Sequence, residues 1–197
     1  MTPTWSARLL ATHPRQPDRR SCGASVLVVE RALRDEAYAQ LLVGGRHPVT
    51  GFERRGHLRD RFRDEVLGMH RRTTGPVSVT GRLQLPWPRA FGTPPWAVAG
   101  QLSVPGRPRV VRWAWRRQAL LDLIDAQVAL GTTVPLYVGS RWLPRHVVLV
   151  TGADDDSLEC YDPSRGGVVR FTREAFAEGT LELAGWSSPW CAVLPRG

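Results

Sequence analysis

Lysine is absent: all 27 basic residues of this 197-residue chain are arginine. That excludes Schiff-base and general-base lysine chemistry. Codon bias in a GC-rich genome accounts for such usage, and selection against lysine-directed modification is the sharper alternative. Cysteine is nearly as sparse, with Cys22, Cys160 and Cys191 too few and too irregularly spaced for a disulfide scaffold. A reducing cytoplasm is the compartment this usage fits. Cys160 and Cys191 each fall in an apolar, strand-like stretch where a buried structural thiol is expected, and a bond between them stays open. No Cys-x-x-Cys or His-Glu-x-x-His pattern marks a metal site. No apolar run approaches the ~18–20 residues that cross a bilayer, and the N-terminus lacks a basic segment followed by an apolar one. Internal repeats and low-complexity tracts are missing as well.

What is present suits one globular domain over residues 1–197, since 42% hydrophobic content supplies a sizeable core. The net charge of +9 is unevenly placed. Residues 45–117 hold 15 arginines against 4 acidic residues, net +11, and the remainder holds 12 against 14, net −2. Within that arginine-rich segment Leu58, Phe62, Val66 and Met69 form an apolar stripe among Arg54, Arg55, Arg59, Arg61, Arg63, Arg71 and Arg72, which predicts an amphipathic helix with a basic outer face. Val111-Arg112-Trp113-Ala114-Trp115-Arg116-Arg117 alternates arginine with aromatic residues. A half-buried strand with solvated arginines gives that pattern, and so does a surface that stacks bases or binds an acidic peptide. Between Thr73 and Pro108 seven prolines interrupt regular structure while Trp87, Phe91 and Trp96 argue for order; this stretch is a candidate lining of a substrate cleft.

The chemistry centres on Cys22. Pro17, Asp18 and Ser21 are helix-start signals, and Val26, Leu27, Val29 and Leu33 recur at the spacing of one buried helix face. The thiol therefore sits at a helix N-terminus, where the partial positive charge and unpaired amide hydrogens favour the nucleophilic thiolate. An ordinary buried core cysteine is the competing reading. Farther along, Arg145-His146-Val147-Val148-Leu149-Val150 and Ser157-Leu158-Glu159-Cys160-Tyr161-Asp162, separated by Asp154-Asp155-Asp156, read as a β-hairpin. A loop centred on Asp154 sets His146 directly opposite Asp162, with Cβ atoms about 4.5–5.5 Å apart. The carboxylate would then fix the imidazole tautomer and steady the imidazolium formed when His146 takes a thiol proton. A one-residue slip would separate the pair onto opposite faces, and Asp162-Pro163 also has the makings of an ordinary turn. Gln16, six residues before Cys22, has a side-chain amide that would join the Cys22 backbone N–H in an oxyanion hole, each donor contributing about 2.7–4 kcal/mol.

These stretches together resemble the papain-like cysteine peptidases, in particular the bacterial branch of bacteriocin-leader peptidases and its stand-alone relatives. The resemblance rests on Gln16 with Cys22-Gly23-Ala24, on Ala119 to Leu130 with Gly131 and Val134-Pro135-Leu136-Tyr137-Val138, on His146 to Gly152, and on Tyr161-Asp162-Pro163 with Gly166-Gly167. It covers residues 16–34 and 117–179. Many relatives of papain carry asparagine where Asp162 stands, and the leader-peptidase branch carries aspartate. Residues 45–117 read as an arginine-rich insertion longer than that branch needs, matching only in pieces such as Gly92-Thr93-Pro94-Pro95-Trp96.

The resemblance implies an α+β, papain-like fold: an N-terminal helical part headed by the nucleophile Cys22, packed against an antiparallel β-sheet that carries His146 and Asp162. It also implies amide-bond hydrolysis through a Cys22–His146–Asp162 triad with Gln16 in the oxyanion hole, needing no metal or organic cofactor. A glutamine deamidase or a transglutaminase would use the same atoms, since all pass through a thioacyl-enzyme. A second class is a non-catalytic module that holds an acidic protein or nucleic acid through residues 45–117. The expected partner is a peptide or protein substrate, with acidic peptides favoured by the basic segment.

Overall fold

The helix that begins at the nucleophile candidate organises the molecule. In a computed structural model, which describes residues 3–77, 81 and 83–196, α1 (Trp5–Ala11), α2 (Cys22–Arg34), α3 (Glu36–Gly44), α4 (Leu58–Thr74) and α5 (Pro95–Leu102) come first, with a short 3-10 helix at Arg89–Phe91. A strand-rich half follows: β1 (Arg109–Trp113), α6 (Arg117–Ala129), β2 (Val134–Gly139), β3 (Pro144–Ala153), β4 (Ser157–Asp162), β5 (Gly167–Thr172), α7 (Arg173–Glu178) and β6 (Ser188–Pro195). The starts of several helices are written locally. Asp35 caps α3 by accepting from the Tyr38 amide at 3.0 Å, Thr172 caps α7 by accepting from the Ala175 amide at 3.1 Å, and Pro95 occupies the first turn of α5, where no amide hydrogen is needed.

Six strands form one antiparallel sheet in the order β1-β6-β2-β3-β4-β5. Helices cover both of its faces, so the chain is α+β with two apolar layers. One layer joins α2, α4 and α5 to the sheet through residues such as Val28, Val66, Val98, Leu149 and Tyr161. The other packs α6 and α7 on the opposite face through Leu121, Ile124, Leu136, Val148 and Phe176. The arginine-rich residues 45–117 supply α4 and α5, which pack on α2, and the edge strand β1. The proline-rich stretch Thr73–Pro108 is ordered by a Trp87–Trp96 edge-to-face contact at 5.0 Å and by Phe91 at 5.9 Å from Trp87; its residues 78–80 and 82 lie outside the described residues.

Two local expectations need correction. The predicted single buried face of α2 is instead burial on all sides from Cys22 to Glu30, because α3, α4, α5 and β3 all pack around this one helix. The predicted basic face of α4 does not include Arg61, which is buried. Its guanidinium donates to the carbonyls of Leu42 and Val43, at 2.8 Å and 2.6 Å, and to that of Gly56. Arg61 thereby satisfies orphan acceptors near the end of α3. Arg54 is also committed, to Glu65 at 2.5 Å. Phe62, Val66 and Met69 are buried as the stripe predicts. In the alternating stretch, Val111 to Trp113 is strand, whereas the chain leaves the sheet at Ala114 and Trp115 is 86% exposed. Among the described residues, no helix is long and apolar enough to cross a membrane.

Leu149 on the central strand β3 is fully buried in the layer beneath α2. Leu149→Ala leaves a cavity there and should lower the unfolding free energy by about 2–5 kcal/mol, measured by the shift in denaturant midpoint at unchanged slope.

Candidate active site

Cys22 is the first residue of α2 and is 5% exposed. The first intrahelical bond runs from the Ser25 amide to the Ser21 carbonyl at 2.8 Å, so the Cys22 amide belongs to the opening turn whose donors have no helical acceptor. Gly23 explains how another segment comes so close. A Cβ at that position would lie 2.8 Å from the Thr93 Cβ, so only glycine lets Thr93 rest on the start of the helix. Tyr137 on β2 fixes Thr93 from the other side, its hydroxyl donating to the Thr93 carbonyl at 2.9 Å.

The β3–β4 hairpin brings His146 and Asp162 together by a different register from the one predicted. Ala153 pairs with Leu158 and Gly152 with Glu159, then a bulge shifts the pairing so that Val150 faces Cys160 and Leu149 faces Tyr161. Carried one step further, that register sets Asp162 opposite Val148, two residues from His146 and on the same pleat face. The two side chains are diagonal neighbours, a separation that a long side chain spans. Without the bulge, Asp162 would sit opposite Leu149 and His146 would point to the other face. His146 Nε2 lies 2.7 Å from Asp162 Oδ1. The other ring nitrogen, Nδ1, is left free by this bond, and the Cys22 side chain lies near enough to the imidazole to help raise its pKa.

Asp162 is fully buried, and its Oδ1 also accepts from the Ser164 amide and hydroxyl, both at 2.8 Å. Burial alone would raise its pKa, but the His146 and Ser164 interactions outweigh that and hold the carboxyl below the usual range. For His146, burial works against the cation. The Asp162 hydrogen bond and the interaction with Cys22 overcome it, and the imidazole pKa is raised to about 9. The geometry thus favours an imidazolium between a carboxylate and the sulfur. Cys160 and Cys191 are free and buried; burial pushes both thiols up, Cys191 to about 12.

The loop carrying Gln16 is fastened to the turn after Asp162. The Gln16 amide donates to the Pro163 carbonyl at 2.9 Å, Arg15 Nε to the Arg165 carbonyl at 3.0 Å, and the Tyr161 hydroxyl to the Pro14 carbonyl. Gly166 permits this closeness. It has φ +74°, and a Cβ there would lie 2.3 Å from the His13 carbonyl oxygen. The Gln16 side chain donates one amide hydrogen to the Asp18 carbonyl at 2.7 Å, which orients the group and leaves its second N–H free to donate. Gln16 Oε1, Ser25 Oγ and Asp162 Oδ2 are buried with no hydrogen-bond partner, as are Glu30 Oε1, Trp87 Nε1 and Arg109 Nη1 elsewhere.

The structure therefore joins His146 to Asp162, sets the Cys22 side chain near the imidazole and ties the Gln16 loop to the turn after Asp162. Ser164, Thr93 and Tyr137 were not foreseen. A serine two residues after an aspartate is a recognisable turn signal, whereas the other two act through contacts that no local pattern encodes. No cluster of metal-ligating side chains occurs among the described residues. Neither the protein-family models nor the curated proteins compared with this chain match it.

His146 binds its proton more tightly in the folded protein, where its pKa is about 9, than in the unfolded chain, where it is about 6.5. Its contribution to stability should be complete below pH ~6.5 and be lost as the pH rises through ~9, a decline absent from His146→Ala in denaturant titrations across that window. Asp162→Ala should move the His146 ring-proton NMR titration down toward the ordinary value. Gly166→Ala should destabilise the fold by more than about 1 kcal/mol, read as a lowered Tm.

Proposed function

We propose that this chain is a papain-like cysteine hydrolase that cleaves a peptide or isopeptide amide bond through Cys22, His146 and Asp162. The observation that carries this reading is the buried His146–Asp162 bond at 2.7 Å, with the Cys22 side chain near enough to the same ring to help raise its pKa. A structural cysteine needs no such arrangement. The papain-like relationship is supported by a helical layer headed by Cys22 packed on an antiparallel sheet that carries the other two residues.

In the reaction, His146 holds the proton taken from Cys22, and the sulfur attacks the scissile carbonyl carbon. The carbonyl oxygen gains negative charge as the tetrahedral intermediate forms. The Cys22 amide and the free N–H of the Gln16 side chain are the donors that stabilise it. Collapse breaks the C–N bond, and His146 passes its proton to the departing amine, leaving a thioester on Cys22. His146 then takes a proton from water, the hydroxide attacks the thioester, and the acid product leaves as the sulfur recovers. Asp162 keeps the ring oriented throughout and stabilises its charged form. Amine or side-chain amide substrates would turn the same steps into transamidation or deamidation. Three free thiols accord with a reducing compartment such as the cytoplasm.

A short iodoacetamide pulse followed by peptide mapping should label Cys22 well ahead of Cys160 and Cys191, and His146→Ala should abolish that lead. Cys22→Ala should eliminate turnover of amide substrates. Gln16→Ala should lower kcat by about 10²–10³-fold. Equal and slow labelling of all three thiols in the native protein would refute the hydrolase.

A further inference from the structure

A cavity of about 240 Å³ lies beside the loop that leads to Cys22, lined by Asp18, Arg20, Leu67, His70, Arg71 and Arg89. It is smaller than the ~300–1,000 Å³ of cofactor and drug-sized sites, a size that suits one substrate side chain. Its position follows from chain length and contacts. Arg20 is two residues from Cys22, so their Cα atoms are at most about 7 Å apart. Arg89 opens the short 3-10 helix that ends at Phe91, and at its C-cap, Gly92, a Cβ would lie 3.3 Å from the Arg20 carbonyl oxygen. The next residue, Thr93, rests on Gly23. His70 is 6% exposed and braces this segment, its Nδ1 3.5 Å from Thr93 Oγ1.

The charges of the lining are unbalanced. Three arginines stand against one aspartate, and Asp18 Oδ1 already accepts from the Arg20 amide at 2.8 Å. Arg34, Arg54, Arg170 and Arg173 all have carboxylate partners, whereas among the described residues the guanidiniums of Arg20, Arg71 and Arg89 have none. All three are exposed residues at the rim of a small concavity. Guanidinium groups bind carboxylates through paired, charge-assisted hydrogen bonds.

We infer that this cavity is a specificity pocket for an acidic side chain, so that the substrates are peptides carrying Asp or Glu within about two residues of the scissile bond. The inference rests on Cys22 being the acyl-accepting nucleophile, and it adds the class of substrate that nucleophile meets. A carboxylate held by Arg20, Arg71 and Arg89 would anchor the peptide beside the sulfur, and a basic side chain at the same position would be repelled.

The test uses matched electrophilic peptides that differ only in Glu, Gln or Arg within two residues of the electrophile, with Cys22 alkylation followed by intact mass and peptide mapping. Glu probes should react at least about tenfold faster than Arg probes, with Gln between, and the ratio should shrink as salt is raised from about 0.05 to 0.5 M. Arg71→Ala should reduce the Glu-to-Arg ratio, Arg89→Glu should bring it to unity or below, and Arg63→Ala, on the same helix but outside the cavity, should retain it. Thermal unfolding shows that each variant is folded. Equal rates for all three probes, with Cys22 still selectively labelled by iodoacetamide, would overturn the pocket and leave the hydrolase standing. A preference that survives both pocket substitutions would overturn it too. Loss of selective Cys22 labelling in the unsubstituted protein would remove the hydrolase and the pocket together. An oligonucleotide that blocks alkylation in a salt-dependent way, without any peptide charge preference, would assign the arginines to phosphate instead.

Discussion

The buried hydrogen bond between His146 and Asp162 is the interaction on which the site depends. A carboxylate with no solvent exposure is costly to bury, and here one of its oxygens receives the imidazole together with the Ser164 amide and hydroxyl. That concentration of donors keeps the group ionised, and the ionised group keeps the proton on the ring. The bulge between Val150 and Gly152 is the backbone device behind it. A bulge interrupts ladder pairing, and at this place it restores the face alternation that a regular hairpin with the same turn would have broken.

The second constraint is a set of long-range fastenings around the start of α2. The Gln16 loop is bonded to the turn after Asp162, and the Thr93 segment is held between Gly23 and Tyr137. Residues far apart in the chain therefore meet at one thiol. This is the arrangement expected of a site held by packing rather than by loop geometry alone: Cys22 heads a buried helix, and His146 and Asp162 are on strands of the sheet that helix covers.

The arginines divide into two populations that composition alone merges. Arg61 closes the end of α3, Arg117 donates to the Glu178 carbonyl at 2.7 Å near the end of α7, and Arg173 bridges α7 to Asp125 of α6 at 2.9 Å. These side chains replace missing backbone partners or join helices. Among the described residues, Arg20, Arg71 and Arg89 around the cavity by the loop that leads to Cys22 have no carboxylate partner. The basic segment is thus partly scaffold and partly surface.

Much of this was legible in one dimension. The start of α2 at Cys22, the buried stripe of α4 and the β3–β4 hairpin all follow from patterns that involve neighbours only a few residues away, where propensity and periodicity act. Helices α1, α3 and α5 went unread because they are short and their apolar residues show no clear period, even though α3 has a good cap in Asp35. What the tertiary structure alone decided was the pairing register that makes His146 and Asp162 diagonal neighbours, the burial of Arg61, the enclosure of α2 on every side, and which guanidiniums remain unpaired. Each depends on contacts between segments tens of residues apart, whose energies are set by shape and by competing partners in space, and no local sequence pattern carries that information.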